Sequence, residues 1–191
     1  MIFQRSIKNE VSAVGVGLHS GKKVRIVLKP TKENSGIIFK RTDIKIPVEI
    51  KVEPQAVKET RLSSTIGKDK FKISTVEHLM SALSASGIDN ILIEVDGSEI
   101  PIMDGSSIPF IYLINSAMIY EQSELKKFAV IKDLIKVEEG EKFAKFEPYN
   151  GFLVDFTIDF PHPAFKEENS RVEIDFFKDS YVNHISRART F

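Results

Sequence analysis

The residues best suited to chemistry are adjacent: Glu77 and His78, in the stretch Ser74-Thr75-Val76-Glu77-His78-Leu79-Met80. A carboxylate can act as a general base, and an imidazole can bind a metal. A structural role for Glu77 is also open. Ser74 followed three residues later by Glu77 is a capping-box pattern, which predicts that a helix begins there. His78 could equally be a surface or interdomain histidine.

The other chemical groups form no familiar site. The four histidines, His19, His78, His162 and His184, contain no close pair, and Ala82 stands where a zinc-protease helix would need a second histidine. The chain has no cysteine, which excludes a disulfide scaffold and a cysteine-rich zinc module. Any metal must therefore be held by His, Asp or Glu. His19 follows a glycine-rich strand, and a solvated turn histidine is the favoured interpretation from sequence alone.

Composition narrows the class of protein. Lys+Arg and Asp+Glu both number 27 in the 191 residues, and this zero net charge argues against a nucleic-acid binder. No run of about 18 apolar residues is present, so no transmembrane segment is expected. The start, Met-Ile-Phe-Gln-Arg-Ser, lacks the apolar core of a signal peptide. A cytoplasmic protein is expected.

The elements that position Glu77 and His78 follow from periodicity. Val76, Leu79, Met80 and Leu83 form one apolar stripe of a helix, and Gly87 should end that helix. His78 falls away from the stripe. Before the helix, alternation predicts a hairpin over residues 11–29 and strands at 37–40 and 44–50. After it come a strand at 88–95, an Asp96-Gly97 turn with a return at 99–103, and a helix that begins near Ser107.

Strands are predicted again in the last third of the chain, and a helix follows them. The predicted strands are residues 128–131, 135–137, 143–146, 152–160 and 171–177. The class is therefore α+β. Residues 1–120 are expected to form an N-terminal domain, 121–127 a polar linker, and 128–191 the start of a second, related domain.

Seven sequence motifs, which occur in a fixed order along the chain, point further than the spacing of single residues. They are Gly15-Val-Gly-Leu-His-Ser-Gly21, Ser74-Thr-Val-Glu-His-Leu79, Gly87-Ile-Asp-Asn-Ile91, Ile100-Pro-Ile-Met-Asp-Gly-Ser106, Pro148-Tyr-Asn-Gly151, Asp155-Phe-Thr-Ile-Asp-Phe160 and Ser186-Arg-Ala-Arg-Thr-Phe191. Together they resemble the UDP-3-O-acyl-N-acetylglucosamine deacetylase family, zinc amidases that commit bacteria to lipid A and hence lipopolysaccharide synthesis. The resemblance implies two related domains, each an antiparallel or mixed sheet packed with helices, with the active site between them.

The resemblance also implies roles for individual residues. His78 corresponds to a ligand of Zn²⁺ and Glu77 to the general base, while Thr190 would supply a hydroxyl to the oxyanion.

Contacts with an acylated UDP-sugar substrate are implied for Leu62, Lys142, Phe160 and Phe191. His19 and Asp104 also match motif residues; for Asp104, stabilisation of a turn is at least as good an explanation.

The sequence departs from the family pattern at its end. The family's other two zinc ligands lie in a later His-x-x-x-Asp helix, and His184 is followed four residues later by Ala188. We therefore expect a truncated chain with an incomplete second domain, which binds zinc weakly, does not deacetylate alone and can self-associate. The alternatives are a non-catalytic truncated paralogue that acts as a binding protein, and a different hydrolase on the same fold.

Overall fold

The computed structural model describes residues 1–158 and 171–189. The strands are β1 (Phe3–Ile7), β2 (Val11–Val16), β3 (Lys23–Pro30), β4 (Ile37–Arg41), β5 (Val48–Lys51), β6 (Val57–Glu59), β7 (Thr65–Lys68), β8 (Phe71–Ile73), β9 (Ile91–Val95), β10 (Ile119–Leu125), β11 (Ile135–Glu139), β12 (Lys142–Phe146), β13 (Leu153–Thr157) and β14 (Arg171–Asp175). The helices are α1 (Glu77–Ala85), α2 (Ile108–Ser116) and α3 (Tyr181–His184), with a 3₁₀ turn at Pro54–Ala56.

The largest sheet has five strands in the order β2-β3-β9-β4-β5. It is antiparallel except for the parallel β4–β9 pair, so the sheet is mixed. Residues two apart on a strand share a face, which places Ile26 and Leu28 beside Val95 and Ile93. All four side chains are fully buried. The predicted hairpin over 11–29 is confirmed as β2–β3.

The two longer helices contribute the rest of this core. α1 packs against α2 and buries Leu79 and Leu83, as the apolar stripe predicted. The end of α1 is also as predicted: Gly87 has φ +68°, which suits a residue without a Cβ. Ile88 N–H donates to the Leu83 carbonyl at 3.0 Å, and this bond satisfies one of the last free helix carbonyls.

Several segments differ from the sequence prediction. Most of the stretch placed in a linker at 121–127 belongs to β10, which pairs with β1. The polar side chains suit this strand because most of them face solvent, and its buried Gln122 donates to the Thr31 carbonyl at 2.9 Å. Residues 99–103, predicted to return as a strand, form only an isolated bridge between Ser74 and Glu99.

The chain separates into two compact units. The first unit contains residues 1–127 and the described residues after 184, and the second contains residues 128–184. Among the described residues of the second unit, the strands form two separate antiparallel pairs, β11–β12 and β13–β14, and the four-residue helix α3 follows them. Residues 128–131, predicted as a strand, have no regular structure.

The α+β class is confirmed, because strands predominate and the helices are few. Within the described residues, no helix is long and apolar enough to cross a membrane.

Candidate active site

The turn before α1 determines where Glu77 lies. Ser74 N–H donates to the Ser98 carbonyl, and Ile100 N–H donates to the Ser74 carbonyl, both at 3.0 Å. Thr75 then adopts φ +58°, a left-handed conformation that is unusual for a β-branched residue. The main chain is thus tied to the segment after β9 immediately before the helix begins.

Glu77 occupies the first position of α1 and is half-buried. The predicted capping box is wrong: the N-cap is Val76, and no side chain caps the helix. Because the left-handed turn at Thr75 delays the helix start, the Glu77 carboxylate reaches a different amide. Its Oε2 accepts a hydrogen bond from Ser64 N–H at 3.0 Å, while Val76 N–H donates to the Ser64 carbonyl at 3.2 Å. Within the described residues Oε1 has no hydrogen-bond partner, so one oxygen is available to accept a proton.

His78 is half-buried on the first turn of α1. A neutral imidazole nitrogen is a good ligand for zinc, so this side chain suits one position of a zinc site. In residues 1–158 and 171–189, however, no group of three or more His, Asp or Glu side chains could hold a metal ion. Catalytic zinc normally has three protein ligands. The described residues therefore supply His78 but do not complete such a site.

Glu99 is a buried carboxylate that the sequence did not single out. Only 2% of the residue is exposed. Its Oε1 accepts hydrogen bonds from His19 N–H at 2.8 Å and the Thr75 hydroxyl at 3.2 Å, and its Oε2 accepts one from Ser20 N–H at 2.9 Å. Burial raises the pKa of Glu99, but the bonds from the His19 and Ser20 amides and the two hydroxyls outweigh it and hold the pKa below its usual value.

His19 lies in the turn between β2 and β3, with its side chain exposed. Its backbone is held by Glu99, and Gly21 N–H closes the turn on the Gly17 carbonyl at 3.0 Å. Gly21 has φ +63°, which explains a glycine at that position. Among the described residues, the His19 imidazole forms no hydrogen bond, and the side chain is exposed. This is what a solvated turn histidine would show.

Asp104 stabilises its own turn. Its Oδ1 accepts hydrogen bonds from Ser106 N–H at 3.0 Å and from the Ser106 hydroxyl at 2.8 Å, and Arg189 approaches Oδ2 at 3.4 Å. The Ser106 hydroxyl holds the pKa of Asp104 below its usual value. This side chain borders a cavity of about 220 Å³ together with Tyr112 and Arg187.

Two expected substrate contacts are strongly exposed. Leu62 has φ +63° and is 85% exposed, in the loop between β6 and β7. Lys142 begins β12 in the second unit and is also exposed.

The remaining candidates, Thr190, Phe160 and Phe191, lie outside the described residues, as does His162.

Sequence reasoning missed the hydrogen bond from Ser64 N–H to Glu77 and the set of hydrogen bonds that Glu99 accepts. The first is a main-chain contact and leaves no signature in residue type. The second had a signal, since Glu99 is a single charge directly before the apolar residues Ile100-Pro101-Ile102. An isolated carboxylate among residues that become buried must find hydrogen-bond donors.

Comparison with known proteins covers almost the whole chain. A family model described as UDP-3-O-acyl N-acetylglycosamine deacetylase matches residues 4–191. The chain is 50% identical over 191 residues to the UDP-3-O-acyl-N-acetylglucosamine deacetylase of Thioalkalivibrio sulfidiphilus and 50% identical over 192 residues to that of Aliivibrio fischeri. It is 48% identical over 192 residues to the protein of the same name from Pseudoalteromonas translucida. In each case 100% of this chain aligns with 63% of the relative, so the chain spans less than two thirds of each relative's length.

Proposed function

The chain belongs to the UDP-3-O-acyl N-acetylglycosamine deacetylase family, and from this premise we propose that it carries part of the active site of a zinc-dependent N-deacetylase. The proposed reaction hydrolyses the acetamide of UDP-3-O-acyl-N-acetylglucosamine and releases acetate. The observation that carries the proposal is the alignment of the whole chain with relatives of that name at 48–50% identity.

Glu77 is proposed as the general base. A water molecule would lose a proton to its carboxylate as the water oxygen bonds to the acetamide carbonyl carbon. As the C–N bond breaks, the nitrogen takes up the proton held by Glu77 and the hydroxyl proton of the new carboxyl group, so that acetate and a protonated sugar amine are released and Glu77 is again a carboxylate. The available Oε1 supports this role, because Oε2 is already held by Ser64 N–H and fixes the orientation of the carboxylate.

His78 is proposed as one protein ligand of Zn²⁺. When bound, zinc would polarise the carbonyl and lower the pKa of a bound water to about 7. The half-buried position of His78 beside Glu77 supports this assignment. Thr190 is proposed to donate its hydroxyl to the oxyanion.

Contacts with the acylated UDP-sugar are proposed for Leu62, Lys142, Phe160 and Phe191. The exposure of Leu62 and Lys142 supports this, because both can be reached from solvent. The reaction is proposed to take place in the cytoplasm, at the committed step of lipid A synthesis.

The direct test is acetate release from UDP-3-O-acyl-N-acetylglucosamine by the protein, assayed with zinc present. Glu77→Gln preserves the size of the side chain and its acceptor oxygen but removes the base. We expect kcat to fall by about 10²- to 10⁴-fold, the usual contribution of a general base.

Glu94→Gln is the matched control. It also removes a carboxylate from the first unit, but Glu94 lies on β9 and pairs with Lys29 at 2.8 Å and Lys40 at 3.6 Å. Its activity should stay within about threefold of the unaltered protein, since changes away from the reacting groups are usually small. Activity of Glu77→Gln within tenfold of the unaltered protein would remove Glu77 from the reaction. Tight substrate binding without acetate release by the unaltered protein would instead favour the non-catalytic binding protein.

A further inference from the structure

We infer that Glu99 is a positioning residue for the proposed reaction, because its buried carboxylate joins the His19 turn to the Thr75 turn that leads into Glu77. The inference rests on the proposed function and adds to it a buried residue that acts through the Thr75 turn.

The link is made by one side chain to two separate parts of the chain. On one side, Oε1 and Oε2 hold the successive main-chain amides of His19 and Ser20. On the other side, Oε1 holds the hydroxyl of Thr75, which is 2% exposed and lies two residues before Glu77. A single carboxylate oxygen therefore bridges the two turns.

The surrounding main chain is shaped around this carboxylate. A Cβ on Gly17 would overlap Glu99 Oε2, so a larger residue at this position would have to displace the carboxylate. The segment that carries Glu99 is itself fixed on both sides. It pairs with Ser74 at the bridge, and Ile102 N–H donates to the Val16 carbonyl at 3.0 Å.

The partners of Glu99 explain why a carboxylate is needed. In the described residues it forms no ion pair, and its charge is balanced by amide and hydroxyl donors alone. An ionised carboxylate accepts at both oxygens, whereas a glutamine amide offers one acceptor oxygen and an NH₂ group. In Glu99→Gln, that NH₂ group would face either the Ser20 amide or the donors at Oε1. At least one amide of the His19 turn then loses its acceptor, and the bridge between the two turns is weakened.

Hydrogen exchange tests the link without any need for activity. In Glu99→Gln, the amides of residues 17–21 and 74–76 should lose protection, while the amides of β4 and β9 keep theirs. Glu94→Gln, the matched control on β9, should change neither turn. Unchanged exchange in both turns, or loss of protection spread evenly over the first unit, would overturn the link.

Kinetic measurements of acetate release test whether the link serves the reaction. We expect Glu99→Gln to lower kcat by about 10- to 100-fold with KM within about threefold, since a displacement of about 1 Å costs up to about 10²-fold. Thr75→Val should lower kcat less, and Thr75→Ser, which keeps the hydroxyl, should recover that loss. A fall in thermal stability with kcat unchanged would show a structural role only and would overturn the inference.

The two measurements separate the inference from its premise. Absence of acetate release by the unaltered protein overturns the proposed function, and the positioning role falls with it. Normal acetate release with kcat preserved in Glu99→Gln overturns only the positioning role.

Discussion

The unit that carries Glu77 and His78 has a core of buried apolar side chains, whereas the described residues of the second unit leave most of theirs in solvent. Among the described residues, Ile174 is the only buried hydrophobic side chain of the second unit. Its exposed side chains include Val137, Phe143, Phe146 and Phe156. Both units nevertheless have strands with alternating apolar residues. The difference shows that alternation determines which face of a strand is apolar but does not supply the element that covers it.

The second unit's hairpins make this concrete. On β13–β14, Val154 pairs with Ile174 and Phe156 pairs with Val172, so one face of the hairpin is apolar. Isolated two-stranded hairpins are marginally stable in water because they bury little surface. The first unit avoids this limit, since its five-stranded sheet and two packed helices share a core. The Glu77–His78 pair is therefore held by the better-packed part of the chain.

The largest expected effect comes from replacing phenylalanine by alanine, once in each unit. Phe39 is 0% exposed in β4, and Phe156 is 59% exposed in β13. Phe39→Ala should lower the free energy of unfolding by about 3–5 kcal/mol, through lost burial and the cavity left behind. Phe156→Ala should change it by less than about 0.5 kcal/mol, as is usual at a surface. Urea denaturation followed by circular dichroism measures both, and equal losses would end the contrast between the units.

Ion pairs of the same geometry give the next comparison. Arg41 and Arg171 each bind an aspartate with two nitrogens: Asp43 at 2.7 and 2.6 Å, and Asp155 at 2.8 and 3.0 Å. Arg41 is 8% exposed, whereas the Arg171–Asp155 pair is in solvent. Asp43→Ala should cost about 1.5–3 kcal/mol, the value of a hydrogen bond to a charged group.

Asp155→Ala should have no measurable effect on the urea midpoint, because water and salt already weaken an exposed pair. Asp43→Asn serves as the intermediate variant, since its amide oxygen still accepts one hydrogen bond from Arg41. A larger loss from Asp155→Ala than from Asp43→Ala would show that the second unit depends on surface charge rather than on burial.

The sequence predicted those parts of the fold whose signals are local, and it failed where distant segments determine the structure. The hairpin over 11–29 and the end of α1 at Gly87 were predictable because their signals are local: alternation in one case, a left-handed glycine in the other. The start of α1 was not, because Ser74 pairs with a distant segment and Thr75 turns left-handed before the helix begins. The capping box competed with these tertiary bonds, and the tertiary bonds prevailed.

The candidate site was also predictable only where the signal is local. Glu77 and His78 could be singled out from residue type and from the resemblance, because both are read directly from the motif. The Ser64 and Glu99 contacts depend on segments brought together by the sheet, which spacing along one chain does not reveal. The polar stretch near 121–127 was predicted to be a linker, and most of it forms the strand β10. An exposed strand and a linker have similar composition, and only pairing with β1 distinguishes them.

Acid should weaken the first unit through Glu99. Its folded pKa lies below the ordinary value of 4.5, so its contribution to stability is present above that value and is lost as pH falls through the folded pKa. The urea midpoint of the unaltered chain should therefore drop below about pH 4.5, and Glu99 should account for part of that drop. In Glu99→Gln, the decrease of the urea midpoint at low pH should be smaller than in the unaltered chain. Identical pH dependence in both proteins would mean that Glu99 is not ionised when buried.

The smallest expected effect lies in the β11–β12 hairpin, where Lys136 Nζ stands 5.1 Å from the centre of the Phe143 ring. A cation above an exposed aromatic face is worth about 0.5–1 kcal/mol, which corresponds to about a two- to fivefold change in an opening equilibrium. Phe143→Leu keeps an apolar side chain but removes the ring face. Amide exchange of residues 135–146 should therefore become about two- to fivefold faster.

Phe146→Leu is the matched control, because Phe146 lies on the same strand and is 64% exposed against 61% for Phe143. A local change confined to this hairpin would show that it opens independently of the first unit's core. Equal quickening in β3 and β9 would show instead that the two units unfold together, and the contrast drawn from burial would then not extend to their stability.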